Sequence, residues 1–302
     1  MTIFISTRGG IGITLRDLTV FIAVCDCGSI TAAAAKLRIA QPSVSQVIAD
    51  IEAEYQVKLF ERLSKKLYLT DEGWKLLNYA RHITELFLEM ERDLHGSGGS
   101  RVLRVGASVT IGTCLLSGLT LQYLAANPEI RLEAVVDNTR IIEELILGNR
   151  VDFGLVEGSV HHREIVSRPF MDDELVLVCG KTHPLYGRPA IAQAELAGLQ
   201  FIVREEGSGT RELFASVMAA NAIPWRPAWV CNNAEGIKNS VSAGIGVSVI
   251  SRLLVTGEVQ SGALGIVRID GLDFKRQFNL IYHKNKFLAE PIKRFFDICL
   301  PK

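Results

Sequence analysis

No stretch of the 302-residue chain approaches the roughly 18 consecutive apolar residues a membrane-spanning helix requires. The first thirteen residues, MTIFISTRGGIGI, lack a basic segment followed by a clean apolar block, so they do not read as a secretory leader. They are taken as an N-terminal extension, 1–13, with no assigned role; a cytoplasmic protein without a membrane partner is expected. Net charge is also missing: 33 Lys and Arg balance 33 Asp and Glu, which argues against a protein that coats nucleic acid without regard to sequence. The six cysteines, at 25, 27, 114, 179, 231 and 299, include no CxxC pair, which removes the usual zinc and disulfide frameworks and leaves reduced thiols. A redox pair need only meet in space, but nothing local to these residues points to a lowered pKa. His161 and His162 are neighbours whose side chains point apart, so an exposed loop is expected there and no metal. GASVT lacks the final glycine of a nucleophile elbow and GIGVS is too short for a dinucleotide fingerprint, so neither an enzyme nor a cofactor is expected. What remains is a globular chain, 48% hydrophobic, long enough for about two domains.

Residues 29–62 read as helix, four-residue turn, helix and the start of a hairpin. Ser29 is a suitable N-cap, and the alanines at 32–35 let another helix cross closely. After the turn at 37–40, a second helix starts at Gln41, with Pro42 where a missing amide costs nothing. Val44, Ile48, Ile51 and Tyr55 form its predicted buried stripe. The other face begins with Gln41, Ser43, Ser45 and Gln46, in the two turns that enter the major groove in helix-turn-helix proteins. Glutamine can pair with adenine through two bonds, and serine serves bases or phosphates. Lys36, Arg38, Lys58, Arg62, Lys65 and Lys66 cluster around this unit and can neutralise phosphates, while Asp50, Glu52 and Glu54 lie toward the far end of the second helix. Alone, such a cluster is more often a solvated surface.

Upstream, Leu15, Leu18, Phe21, Ile22 and Cys25 predict a helix ending near Gly28. Downstream, 57–60 and 67–69 flank the polar tip at 64–66, as in two short strands carrying a basic wing. This gives a DNA-binding domain over 14–70. A long helix follows, capped by Thr70 or Asp71, in which Leu76, Ala80, Ile83, Phe87, Met90 and Leu94 alternate at four and three residues. Packing against its own domain would give a similar stripe; because the helix runs into GSGGS at 96–100, a dimerisation seam with a hinge over 71–100 is preferred.

From Arg101 short β-rich runs alternate with helical ones, implying βαβ units around a parallel sheet. Two α/β subdomains are expected, I at about 101–165 and 270–302, II at about 166–269, with LGIVRI, FNLIYHK and the last helix crossing back to the first. Such sheets bind ligands beyond the carboxyl ends of their strands. Two strand-to-helix junctions qualify: one holds Ser108 and Thr110, the other Gly207, Ser208, Gly209 and Thr210. Arg204 or Arg211 can supply charge for an anion. Plain N-capping by serine and threonine is the bland alternative for either junction alone; two together favour a small anion or carboxylate held between the subdomains.

Taken together, LRDLTVFIAVCDCGSITAAAAKLRIAQPSVSQVIADIEAEYQVKLFERLSKKLYLTDEGWKLL and the later DFGLVEG, REEGSGTRE and NNAEGIKNSVSAGIGVSVIS resemble LysR-type transcriptional regulators over nearly the whole chain. The resemblance implies an α/β protein with an N-terminal winged helix-turn-helix and a long linker helix. These are followed by a two-subdomain α/β effector domain, 101–302, similar to periplasmic solute-binding proteins. It implies dimers or tetramers on an interrupted palindrome of double-stranded DNA, with RNA polymerase as a further partner. Gln41, Ser43, Ser45 and Gln46 match base-facing positions; Arg62 and the wing lysines match backbone-contacting ones. Ser108, Thr110, Asn138, Thr139, Thr210 and Glu235 fall where the family lines its effector cleft. Many members carry arginine in place of Gln46, so the resemblance does not set the operator sequence. A solute-binding module without DNA contact is the competing class, but it leaves the first 95 residues unexplained; an enzyme would be revived by turnover that Ser108→Ala abolishes.

Overall fold

The computed structural model describes residues 12–63, 66–94 and 101–300, and the chain divides into two compact units, Met1–Gly99 and Ser100–Lys302. Ser64, Lys65, most of the expected extension and the GSGGS hinge lie outside the described residues.

In the first unit, helix α1 (Leu15–Cys27) starts with a capping box between Thr14 and Asp17 and ends at Gly28, whose φ of 60° is left-handed. Helix α2 (Ile30–Leu37) is capped by Ser29, which accepts from the Ala32 amide. Ala33 and Ala34 are buried, so small side chains lie where α2 meets α1. Helix α3 (Gln41–Tyr55) carries Pro42 in its first turn and buries Val44, Ile48 and Ile51. Tyr55, expected on that stripe, is instead 55% exposed: it is the last helical residue, and the chain turns away at Gln56 in a left-handed conformation. Strands β1 (Phe60–Leu63) and β2 (Lys66–Leu69) pair antiparallel, Phe60 opposite Leu69. The wing is tied to α3 by Glu52, which accepts from the Leu59 amide and the Lys58 ammonium at 2.8 Å each.

Helix α4 (Asp71–Leu94) begins where the Thr70 hydroxyl accepts from the Gly73 amide. Its first third is not free to pair. Leu77 and Ala80 are buried in the unit's own core, Leu76 packs against that core, and Arg81 pairs with Asp26 of α1 at 2.5 Å. The expected seam therefore changes course: Leu76 and Ala80 face inward, Phe87 is half-buried, and only Ile83, Met90 and Leu94 are exposed. The apolar strip left in solvent runs Tyr79, Ile83, Leu86, Met90, Leu94, because α1 occupies the face that Leu76 and Ala80 share.

The second unit opens with β3 (Arg101–Ser108), α5 (Val109–Cys114), α6 (Leu116–Ala126), β4 (Ile130–Asp137), α7 (Thr139–Leu147) and β5 (Phe153–Glu157). Then come the long β6 (Ile165–Gly180), β7 (Ala190–Ile191), a 3-10 turn (Gln193–Gly198), β8 (Phe201–Arg204), α8 (Gly209–Ala220) and β9 (Pro227–Cys231). It closes with α9 (Ala234–Ser242), β10 (Ser248–Ser251), α10 (Arg252–Gln260), β11 (Leu264–Ile269), β12 (Lys275–His283) and α11 (Glu290–Cys299). One eight-stranded sheet runs β4-β3-β5-β12-β6-β11-β7 with β10 also on β6; β8 and β9 form a separate parallel pair.

β6 divides the lobes within itself. Residues 165–174 pair with β12, and 175–180 pair with β10 and β11. The lobe boundary thus falls near 174/175 rather than at 165/166, since Val166 and Phe170 pack on the first lobe's core, which also holds α11. The segment before Glu174 does not read as strand because it contains Pro169. The chain accommodates it at a bulge: Pro169 faces Asn279 and Met171 faces Phe278, leaving Phe170 as the extra residue. LGIVRI, expected to cross back, stays in the second lobe as β11; β12 and α11 alone complete the first. Among the described residues no helix is long and apolar enough to cross a membrane.

Candidate functional site

Two places gather polar side chains that the cores do not explain. The first is the N-terminal half of α3. Gln41 and Gln46 are exposed, as is Ser43, while Ser45 is half-buried. Each glutamine is tethered one turn along: Gln41 Nε2 donates to Ser45 Oγ at 2.8 Å and Gln46 Nε2 to Asp50 at 2.7 Å. Lys36 is exposed, 3.9 Å from Asp26, and Arg38 caps α2 in a left-handed turn with φ of 56°. Arg62 and Lys66 lie on the two wing strands; Lys65 lies outside the described residues.

The second place is the junction of the two lobes. Ser108 and Thr110 are buried at the start of α5, yet Ser108 does not cap the helix. Both hydroxyls instead turn to the Glu157 carboxyl at the end of β5, Ser108 to one oxygen and Thr110 to the other at 3.2 Å. Thr139 donates to the Glu157 carbonyl oxygen at 3.0 Å. From the second lobe, Thr210 accepts from Arg276 Nη1 at 2.9 Å, while Arg276 Nε donates to Asp173 at 2.7 Å and Ser251 donates to the other Asp173 oxygen at 2.7 Å. Ser208 precedes α8 without capping it. Two buried donors in this cluster have no partner: Arg276 Nη2 and Ser208 Oγ. N-capping therefore does not account for either serine.

Charge is balanced narrowly here. Arg204, 2% exposed, forks onto Glu205 with two 2.8 Å bonds. Burial pushes the Glu205 carboxyl up, but that fork and Asn138 outweigh it and hold the group below the usual range. Glu157 goes the other way: complete burial raises its pKa above the ordinary value, against the pull of Arg276, Arg204 and the Thr110 hydroxyl. Arg276 borders two cavities, of about 660 Å³ with Asp172, Asp173 and Arg252, and of about 430 Å³ with Gly158, Gly209, Glu212 and Asn279. Both volumes suit a small molecule.

The lobes touch along a short seam beside this cluster. The Arg140 amide donates to the Gly207 carbonyl at 3.2 Å, and His161 Nε2 lies 2.7 Å from Glu212. At Gly158, whose φ is +87°, an added Cβ would sit 3.1 Å from the Gly209 Cα, and one at Gly209 would run into the Glu157 carbonyl oxygen. Asn138 caps α7 at the same edge, accepting from the Ile141 amide at 3.1 Å.

Of the effector candidates, Ser108, Thr110, Thr139, Ser208, Thr210, Arg204 and Asn138 meet at this junction; Glu235 does not. Its side chain is 66% exposed and held by Lys238 at 2.6 Å, and none of its bonds reaches the buried cluster, because α9 turns it outward. Sequence reasoning missed Glu157, Asp173 and Arg276. Signals for two of them existed. Glu157 ends a wholly buried strand at its carboxyl edge, and Arg276 alternates with Phe278 and Leu280 on the inner face of β12, where a charge is out of pattern.

The described cysteines are all free thiols; burial pushes Cys25 and Cys299 up to about 12 and raises Cys114 and Cys179.

Comparison with known proteins agrees along most of the chain. Residues 15–74 match the family described as bacterial regulatory helix-turn-helix protein, lysR family, and 96–302 match the LysR substrate binding domain. The HTH-type transcriptional regulator YeiE of Escherichia coli is 34% identical over 289 residues, covering 96% of this chain and 98% of that one. Full-length OxyR from Pseudomonas aeruginosa shares the fold with a TM-score of 0.71 at 19% identity, over 96% of this chain and 94% of that one. The regulatory domain of Synechocystis CcmR in complex with 2-PG superposes with a TM-score of 0.62 at 26% identity, covering 67% of this chain and 96% of that one.

Proposed function

Since the chain belongs to the LysR family and is a DNA-binding transcriptional regulator with a small-molecule effector domain, we propose that a small anion or carboxylate held at the lobe junction controls it. The observation that carries this reading is the pair of buried, unpartnered donors, Arg276 Nη2 and Ser208 Oγ, in one cluster with Thr210. A buried donor without an acceptor costs about 1–3 kcal/mol, and a ligand oxygen is what would relieve it. The protonation of Glu157 sets the terms. With Glu157 ionised, two buried guanidiniums, Arg204 and Arg276, face three carboxylates, Asp173, Glu157 and Glu205; with Glu157 neutral, charges balance and an anion is no longer opposed. Support for a small-molecule effector also comes from CcmR, whose regulatory domain is complexed with 2-PG.

On the DNA side, Gln41, Ser43, Ser45 and Gln46 of α3 read base edges, while Lys36, Arg38, Arg62, Lys65 and Lys66 contact phosphates. The exposed α4 strip, Tyr79, Ile83, Leu86, Met90 and Leu94, pairs with the same helix of a second copy, giving a dimer or tetramer on an interrupted palindrome. The effector acts by binding one lobe arrangement better than another, since only differential affinity shifts such an equilibrium. Working in the cytoplasm, the DNA-bound assembly then acts on RNA polymerase.

The test is calorimetry on the full chain with sulfate, phosphate, glycolate and 2-PG as probes. At least one should bind, and Thr110→Val and Thr210→Val should each weaken it about tenfold, the loss of one hydrogen bond to a charged group. Full affinity in both variants refutes the placement.

A further inference from the structure

Residues 56–59 join the end of α3 to the wing, and Glu52 holds that link from one side. Its backbone carbonyl accepts from the amides of Gln56 and Val57, which closes the helix. Its carboxylate reaches further, to the Leu59 amide and the Lys58 ammonium at 2.8 Å each. Burial would raise the Glu52 carboxyl, but these donors outweigh it and hold the group below its usual range, so it stands as an acceptor at neutral pH.

The other side of the same link faces α4. Thr70, the residue before that helix, donates through its hydroxyl to the Lys58 carbonyl at 2.5 Å and through its amide to the Leu59 carbonyl at 3.1 Å. The same hydroxyl accepts from the Gly73 amide at 3.0 Å. Gly73 leaves no slack, since a Cβ there would run into the Leu59 carbonyl oxygen. Leu59 therefore donates to α3 and accepts from the start of α4, while its side chain, 1% exposed, lies in the core that both helices share. Hydrophobic burial in that core is non-directional. Hydrogen bonds weaken steeply when bent, so those made from both sides of one segment fix an angle.

We propose that Glu52 and Thr70 are positioning residues: they fix the angle between the reading helix and the pairing helix, and so the spacing of the half-sites that a dimer accepts. This rests on α3 entering the groove and on α4 pairing with a second copy. Each base pair inserted between half-sites turns one against the other by about 35° and moves it about 3.4 Å along the duplex. A rigid angle rejects that change. With the link loosened, each reading helix can follow its own half-site, and the same bases are read over several spacings.

The experiment uses the full-length chain. Selection from randomised DNA with wild type yields its half-site, and a second library then varies only the spacer, one base pair at a time. Each protein's affinities are normalised to its binding of a single half-site, so a loss of stability scales all spacers alike and cancels. Wild type should lose roughly tenfold for one base pair added or removed, the scale of one misplaced base contact. Glu52→Ala strands the Leu59 amide, and Thr70→Val strands the Lys58 carbonyl with no change of shape. Each should lose less than about threefold while keeping the order of bases within the half-site. Glu52→Gln keeps an acceptor and Thr70→Ser keeps the hydroxyl, so both should stay as selective as wild type. Glu52→Gln also removes the charge, which separates the angle from phosphate repulsion. Spacer selectivity unchanged in Glu52→Ala and Thr70→Val, relaxed equally in Glu52→Gln and Thr70→Ser, or absent from wild type overturns the proposal while leaving α3 as the reader. Should one of Glu52→Ala and Thr70→Val fail to fold by thermal unfolding, the other decides; failure of both overturns the proposal, since the two residues would then hold the unit and not the angle. A wild-type pool of single half-sites overturns the pairing of α4 along with it, and a pool with no preferred sequence overturns the reading by α3 as well.

Discussion

Replacing Arg276 by methionine removes the guanidinium from a pair in which both side chains are almost fully enclosed, Arg276 at 3% and Asp173 at 1% exposure. The Asp173 carboxylate would keep only the Ser251 hydroxyl, and Thr210 would lose its donor. Breaking one side of such a buried pair costs about 3–5 kcal/mol, mostly because a charge is left without compensation. For a unit of about 200 residues each kcal/mol moves the midpoint by about 2–4 °C, so the effector domain should melt roughly 6–20 °C lower. Asp173→Asn should cost a similar amount by stranding the arginine. The double variant, with neither charge present, should recover most of the loss, giving a coupling energy of about 2 kcal/mol or more. Scanning calorimetry of the full chain reads all four corners of the cycle. Additive losses in the double variant, or Arg276→Met within about 1 kcal/mol of wild type, would show that the pair does not hold strands β6 and β12 together. The same variants bound to sulfate or 2-PG separate stability from recognition: Asp173→Asn keeps Arg276 Nη2 and should still bind.

Three further outcomes follow from geometry described above. Because burial raises Glu157 above the usual carboxylate range, it is protonated at low pH and loses its proton as pH rises through the raised value; anion affinity should be highest below that pH and fall above it. Titration calorimetry across pH tests this, and Glu157→Gln should bind with a flat profile. The stabilising effect of that proton on the fold has the same sign, present at low pH and lost as pH rises through the folded-state pKa. Met90→Glu and Ile83→Glu each place a charge on the exposed α4 strip and should shift sedimentation toward monomer, with unit one still folded; unaltered assembly would move the interface elsewhere. Gln41→Ala and Gln46→Ala should remove operator preference while leaving weak, salt-sensitive binding, and an unchanged footprint in both would contradict their role.

How much of this was readable from residues depends on how local the cause is. The α1 capping box, the Pro42 start and the Val44, Ile48, Ile51 stripe are set within a turn or two of chain, and the elements stand where those signals are. The bulge at Phe170 was not readable, since Pro169 argues against a strand and the register shift that accompanies it is set by pairing with Phe278 and Asn279 of β12, far along the chain. Spacing alone could not say which partner takes the α4 stripe: Leu76 and Ala80 match the same heptad as Ile83 and Met90, and only α1 decides between them. The lobe junction was half-visible. Hydroxyls at strand-to-helix turns announce themselves, whereas Glu157 meeting Ser108 across 49 residues, and Arg276 meeting Asp173 across 103, are products of the sheet order.

Backbone lies against backbone at Gly158 and Gly209, so that part of the seam has no side chain able to shift aside. In genetic terms the two codons are points of leverage: one added methyl there would alter how the lobes rest without removing any polar side chain of the junction. Alleles with expression uncoupled from the effector are expected to accumulate there in a selection. Because mutant and normal subunits would share assemblies on the same operator, such alleles should be dominant in a merodiploid, whereas losses at Arg276 or Thr210 should be recessive.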